Sequence, residues 1–145
     1  MQLNPYLSFN GQCEEAFRFY ERTLGGKIIA MLTFGNTPMG EQAPAEWKGK
    51  IAHARLQLGD SLLMGSDGMG DDHYEKPQGI TVTLNIDDPA AAERVFHALA
   101  EGGTTRMPIQ ETFWAKRFGM TTDRFGTPWM VNCEKPMAAQ QPAAE

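Results

Sequence analysis

The sequence predicts an α+β fold in which one plan, strand, helix and three further strands, is stated twice. Three observations carry the prediction. Apolar residues at three-and-four spacing mark two helices, each closed by a Gly-Gly pair: Gly25-Gly26 and Gly102-Gly103. Between and after them, short β-rich runs alternate apolar and polar residues or are bounded by turn residues. The halves also superpose. Leu7, Phe9, Gly25 and Gly26 map onto Leu84, Ile86, Gly102 and Gly103 at an offset of 77, and Gly59 to Leu63 maps onto Gly126 to Met130 at 67.

Taken in order, Leu3, Pro5, Leu7 and Phe9 form an extended run ended by Asn10-Gly11. Cys13, Ala16, Phe17, Tyr20 and Leu24 give the first helix one buried stripe. Lys27 to Phe34 is the second strand. Residues 35–49, rich in Gly, Pro and Glu, form a long mobile loop; Met39 and Trp47 are costly to leave in water, so the loop is expected to fold over something. Lys50 to Leu58 alternates, with Ala52, Ala54, Leu56 and Leu58 on one face and Ile51, His53, Arg55 and Gln57 on the other. Gly59-Asp60 turns the chain into Leu62-Leu63-Met64. A Gly/Asp-rich connector from Gly65 to Gly79 separates module one (about 1–68) from module two (about 79–135), within a single domain of residues 1–135.

In the second module Ile80 to Ile86 is a strand. Asp87-Asp88-Pro89 caps a helix whose stripe is Ala92, Val95, Phe96 and Leu99. Thr104 to Phe113 and Phe118 to Phe125 are the next strands, Gly126-Thr127 a turn, and Pro128 to Cys133 the last strand. Residues 136–145, mostly Ala, Gln and Pro, have little to bury and are expected to be disordered.

A net charge of −5 with scattered Lys and Arg gives no footprint for nucleic acid. No apolar run is long enough to span a bilayer. The N-terminus lacks the basic and apolar regions of a signal peptide, which points to the cytoplasm. There Cys13 and Cys133 are read as packed, reduced thiols rather than a disulfide.

The richest stretch is Gln110 to Asn132, where two of the three tryptophans and three phenylalanines are interleaved with charged and polar groups. That mixture suits the wall of a cleft. Asn4-Pro5-Tyr6-Leu7-Ser8-Phe9, followed by Ala16-Phe17-Arg18-Phe19-Tyr20 and Leu24-Gly25, resembles the opening of the vicinal-oxygen-chelate superfamily, which includes glyoxalase I, bleomycin-resistance proteins and extradiol dioxygenases. Glu111-Thr112-Phe113-Trp114-Ala115, Phe118-Gly119, Asp123, Phe125-Gly126 and Pro128 to Asn132 resemble its PhnB-like branch. The resemblance implies paired βαβββ modules curling into cup-shaped mixed sheets, commonly in a homodimer. It also brings a methyltransferase label related to demethylubiquinone, although no Gly-rich turn after a strand is evident to seat S-adenosylmethionine.

In metal-using members of the superfamily, one position early in the first strand and one in the last strand of each module supply ligands. Carried onto this sequence, these are Asn4, Leu63, Thr81 and Met130. None is His or Glu, so no cofactor is predicted, although a divalent metal elsewhere stays open. Asp71-Asp72-His73 would make only a weak cation site.

His53 and Glu111 are the catalytic candidates. His53 either points into the cup beside Arg55 or is a satisfied strand histidine. Glu111 is either a general base with a raised pKa in an aromatic pocket or an ion-pair partner of Arg106 or Lys116. Arg55, Trp114, Met130, Asn132 and Trp47 are the substrate-binding candidates. Trp114 and Trp129 suit packing or stacking a planar ligand. Asp123 is expected to be a turn residue, and His73 and His97 to be solvated. The partners expected are a small organic ligand and a second copy of the chain. Three functions compete: an enzyme of the lyase or dioxygenase type without the usual metal ligands, a binding protein of the bleomycin-resistance kind, and the methyltransferase.

Overall fold

The structure, a computed structural model, describes residues 1–38, 40–68 and 74–136. Met39, the Asp71-Asp72-His73 trio and the tail from residue 137 lie outside the described residues. The chain divides into two compact units, Met1–Pro77 and Gln78–Glu145. The first contains β1 (Tyr6–Phe9), α1 (Cys13–Leu24), β2 (Lys27–Thr33), β3 (Ile51–Leu58) and β4 (Ser61–Asp67). The second contains β5 (Val82–Asn85), α2 (Pro89–Ala100), β6 (Thr104–Gln110), β7 (Ala115–Thr122) and β8 (Pro128–Glu134). Strand order is β1-β4-β3-β2 in one sheet and β5-β8-β7-β6 in the other. In each sheet the first and last strands in sequence pair parallel and the remaining pairs are antiparallel. The two sheets and their helices are the twice-stated α+β plan.

Each helix lays its apolar stripe on one face of its own sheet. On α1, Cys13, Ala16, Phe17 and Tyr20 are buried against Leu7 and Phe9 of β1, Ala54 and Leu56 of β3 and Leu63 of β4. Phe9 and Phe17 meet edge to face, with centroids 6.1 Å apart. Full burial of an aromatic ring of this kind stabilises by roughly 1.5–3 kcal/mol. Gly25 ends α1 in the left-handed conformation, at φ 80°, and its N–H donates to the Glu21 carbonyl. Asp88 caps α2 by accepting from the Ala91 N–H at 3.2 Å. Trp129, Val131, Phe96 and Leu99 fill the second core.

The structure departs from the sequence-based expectations in four places. First, β4 continues through Gly65-Ser66-Asp67, which reads as turn chemistry. A Cβ on Gly65 would lie 2.7 Å from the Phe17 ring and 2.9 Å from the Leu7 carbonyl, so glycine is what lets β4 pass beneath α1. Asp67, 3% exposed, accepts from the N–H groups of Gly11, Cys13 and Ile51, each at 2.9 Å. One carboxylate thus ties the end of β4 to the start of α1 and the start of β3.

Second, Ile51 was expected on the polar face of β3 and is buried. The pairing slips between Leu32↔His53 and Thr33↔Ile51, and this bulge reverses the alternation. Third, β7 runs over Ala115–Thr122, not 118–125, and residues 123–127 form a loop built on Asp123. Its carboxylate accepts from the N–H groups of Phe125 and Thr127 and from the indole of Trp129, at 2.9, 3.0 and 2.8 Å. Asp123 is therefore the turn residue expected of it. Likewise β6 stops at Gln110, which leaves Phe113 in a turn and exposed.

Fourth, the offset of 67 in the last strands is corrected. Tyr6 pairs with Met64, and Thr83 with Met130. The first strands differ by 83 − 6 = 77, but the last by 130 − 64 = 66. One hairpin closes between Leu58 and Ser61, the other between Thr122 and Pro128, so turns of unequal length lead into the two last strands. Met130 therefore corresponds to Met64. Leu63 is buried on the helix side, and Asn4 and Thr81 precede their strands.

Candidate functional sites on the open sheet faces

The helices leave the other face of each sheet uncovered by its own unit's helix, and strand alternation decides which side chains stand there. In the first unit Tyr6, Arg55 and Met64 are register neighbours across β1, β4 and β3. His53, two residues from Arg55, lies on the same face. Its ring stacks on Tyr6 at a centroid distance of 5.8 Å, and the Tyr6 hydroxyl is 3.3 Å from His53 Nδ1. The structure thus brings His53 and Arg55 together and adds Tyr6. Arg55 Nε is buried and has no hydrogen-bond partner among the described residues.

In the second unit Thr83, Met130 and Met120 lie side by side across β5, β8 and β7, as do Asn85, Asn132 and Phe118. Thr83 Oγ1 is 3.7 Å from Met130 Sδ. Asn132 Nδ2 donates to Asn85 Oδ1 at 3.1 Å and to Glu134 Oε1 at 3.2 Å. Asn132 Oδ1 is buried without a partner among the described residues. Trp114 packs edge to face on Phe118, centroids 5.2 Å apart. Three predicted binding residues, Trp114, Met130 and Asn132, therefore belong to one neighbourhood. Trp129 is buried on the helix side, where it packs rather than stacks a ligand.

Glu111 does not have the surroundings of a general base with a raised pKa. It is exposed, and its Oε2 is 2.9 Å from Lys135 Nζ. The hydrogen bond and charge of Lys135, with a smaller pull from Arg117, hold its carboxyl below the usual range. Lys135, rather than Arg106 or Lys116, is the ion-pair partner. Trp47 ends a 3-10 turn, Ala45–Trp47, in the β2–β3 connection. A depression of about 380 Å³ nearby is lined by Gly35, Thr37, Pro38, Gly40, Glu41 and Lys48, without Trp47 or any other candidate. His97 is an exposed residue of α2.

The corrected register places Tyr6, Met64, Thr83 and Met130 at the paired first- and last-strand positions. A phenol, a hydroxyl and two thioethers do not fit a hard or borderline divalent ion. Among the described residues, no three His, Cys, Asp or Glu side chains form a group that could hold a metal. Residues that sequence reasoning missed, Asn85, Phe118 and Tyr6 as a partner of His53, were signalled by alternation: Leu7, Phe9, Val82 and Leu84 point to the helix, so Tyr6, Thr83 and Asn85 point away.

Residues 1–132 match the family described as 3-demethylubiquinone-9 3-methyltransferase. The chain is 39% identical to Protein YjdN of Escherichia coli K12, over 97% of this chain and all of the relative. The crystal structure of protein PA1353 from Pseudomonas aeruginosa is similar at 52% identity and a TM-score of 0.82, covering 94% of this chain and 99% of that one. At the level of fold, a Bacillus cereus PhnB protein described as a putative 3-demethylubiquinone-9 3-methyltransferase shares 22% identity with a TM-score of 0.77, over 92% and 99% of the two chains. The chain belongs to the 3-demethylubiquinone-9 3-methyltransferase family, and its α+β fold is the one seen in PhnB-like and glyoxalase-like structures.

Proposed function

We propose that the protein binds a small organic molecule on the polar-aromatic open face of its sheets. The observation that carries this reading is that both open faces hold a buried polar atom with no partner among the described residues, Arg55 Nε on one and Asn132 Oδ1 on the other. A buried polar group left unpaired costs about 1–3 kcal/mol, a cost that a bound ligand recovers. In this reading each sheet has its own binding set: Arg55, with Trp47 on the loop, in the first unit, and Trp114, Met130 and Asn132 in the second.

Catalysis is the second reading, and the His53–Tyr6 pair favours it: an imidazole within reach of a phenol can pass a proton. Glu111, held ionised and exposed, supports binding better than proton abstraction. Methyl transfer is the least supported. The β1–α1 turn is where a strand-to-helix turn would offer N–H groups to a nucleotide cofactor, but Asp67 takes those of Gly11 and Cys13. The β5–α2 turn is acidic, with proline at its first helical position. Neither fits S-adenosylmethionine.

The reading includes a homodimer and a cytoplasmic setting; the two buried free thiols, Cys13 and Cys133, support the latter. No described helix is long and apolar enough to cross a membrane. The test is a thermal-shift screen of metabolites and antibiotics followed by mass spectrometry of each hit after long incubation. A stabilising compound recovered unchanged supports binding, turnover supports the His53 reading, and a screen without a hit defeats both. Size-exclusion chromatography with light scattering tests the dimer.

A further inference from the structure

We infer that the open face of the second sheet takes the donor end of its ligand, a protonated amine, with Asn132 Oδ1 as its acceptor. This rests on the binding reading above and specifies the chemistry of one end of the ligand. Asn132 is 9% exposed, and both of its described side-chain hydrogen bonds are made by Nδ2. Asn85 could turn its own amide in step, but the Glu134 carboxylate only accepts, and the opposite orientation would set Asn132 Oδ1 against it, oxygen to oxygen, so Glu134 fixes the orientation. What remains is an acceptor beside two further acceptors, and that set selects a donor.

Charge sharpens the selection. Lys135, the next residue in the chain, is paired with Glu111, and no described cation pairs with Glu134. The face therefore carries an uncompensated carboxylate beside the orphaned carbonyl. Phe118, directly across from Asn132, and Trp114 packed on it add aromatic rings, which favour a cation over a neutral group. Met120 and Met130, the adjacent register pair, supply an apolar floor for the amine's carbon skeleton. Asn85 and Glu134 are exposed, so a ligand reaches Oδ1 by displacing side chains that are free to turn outward.

The experiment compares three probes of one skeleton by isothermal titration and tryptophan fluorescence: phenethylamine, 2-phenylethanol and 3-phenylpropionate. The amine is expected to bind about tenfold or more tightly than the alcohol, with the carboxylate weakest. Asn132→Leu should weaken the amine about tenfold, and Glu134→Gln, which keeps an acceptor oxygen, should erase most of the preference for amine over alcohol. Circular dichroism melts confirm that both variants fold. Equal binding of amine and alcohol, a preference for the carboxylate, no amine binding, or an Asn132→Leu variant of unchanged affinity overturns the inference. If the broad screen finds only neutral or anionic ligands, the binding reading stands and this inference falls; if nothing binds at all, both fall.

Discussion

Replacing Asp67 by alanine removes the acceptor of three main-chain donors at once and leaves the buried N–H groups of Cys13 and Ile51 and the part-buried one of Gly11 without it. Hydrogen bonds to a charged acceptor contribute about 1.5–3 kcal/mol each. The three share one carboxylate and do not add, so the expected loss is about 3–5 kcal/mol, the range seen when one partner of a buried charged group is removed. Against a total stability of about 5–15 kcal/mol this is a large fraction. It corresponds to a fall in melting temperature of roughly 6–20 °C for a chain of this size.

Asp67→Asn separates the contributions. Its Oδ1 still serves Gly11 and Cys13, while the amide nitrogen meets the Ile51 N–H donor to donor, so a smaller loss of about 1–3 kcal/mol is expected. Urea titration followed by circular dichroism measures both. An Asp67→Ala protein within about 1 kcal/mol of the parent would refute the claim that this carboxylate holds the first unit together.

Gly65→Ala pushes a methyl into the Phe17 ring and the Leu7 carbonyl, and should cost about 1–3 kcal/mol in the same titration; a neutral result means that β4 can move away from α1. Trp129→Phe deletes the indole donor to Asp123 and is expected to cost about 1–2 kcal/mol, read from the melting temperature. Cys13 has its thiol pushed far up by burial, then by Asp67 and Glu14. It should resist thiol reagents at pH 8 in the native protein and react promptly in urea, and quick native labelling contradicts its burial. Glu111 should titrate below the ordinary carboxylate range by NMR and return upward in Lys135→Ala. Because its folded pKa is depressed, its contribution to stability is complete above the unfolded pKa and is lost as pH falls through the folded one. A Glu111 that titrates upward of its ordinary value would restore it as a general base.

The repeated plan was legible because helix stripes and Gly-Gly stops are local, and local patterns survive in a linear reading. The open face of β3 was legible where alternation was unbroken, which is how His53 and Arg55 were found, whereas Met130 came from the positions implied by the family resemblance. Ile51 was misplaced because a bulge depends on the partner strand, not on its own sequence. Met130 was matched to Leu63 because hairpin length sets the register, and the Asp123 loop consumes residues that read as strand. Glu111 was paired with Arg106 or Lys116, close in sequence, although β7 and β8 run antiparallel with Ala115 opposite Glu134 and so bring Lys135 nearer. Asp67 was missed because Gly-Ser-Asp is ordinary turn composition; only three-dimensional placement shows a buried carboxylate that organises its unit.

The equivalence of Met64 and Met130 shows how far the two copies of the plan still agree, and the unpartnered atoms show where they have parted. Arg55 offers a donor in one copy and Asn132 an acceptor in the other, at positions that are not counterparts. An assembly of identical single modules would have to present every such group in duplicate. Joining the modules in one chain lifts that constraint, since a substitution in one half is no longer copied into the other. Division of labour between the halves then becomes accessible by point mutation, while the strand order that supports both stays unchanged.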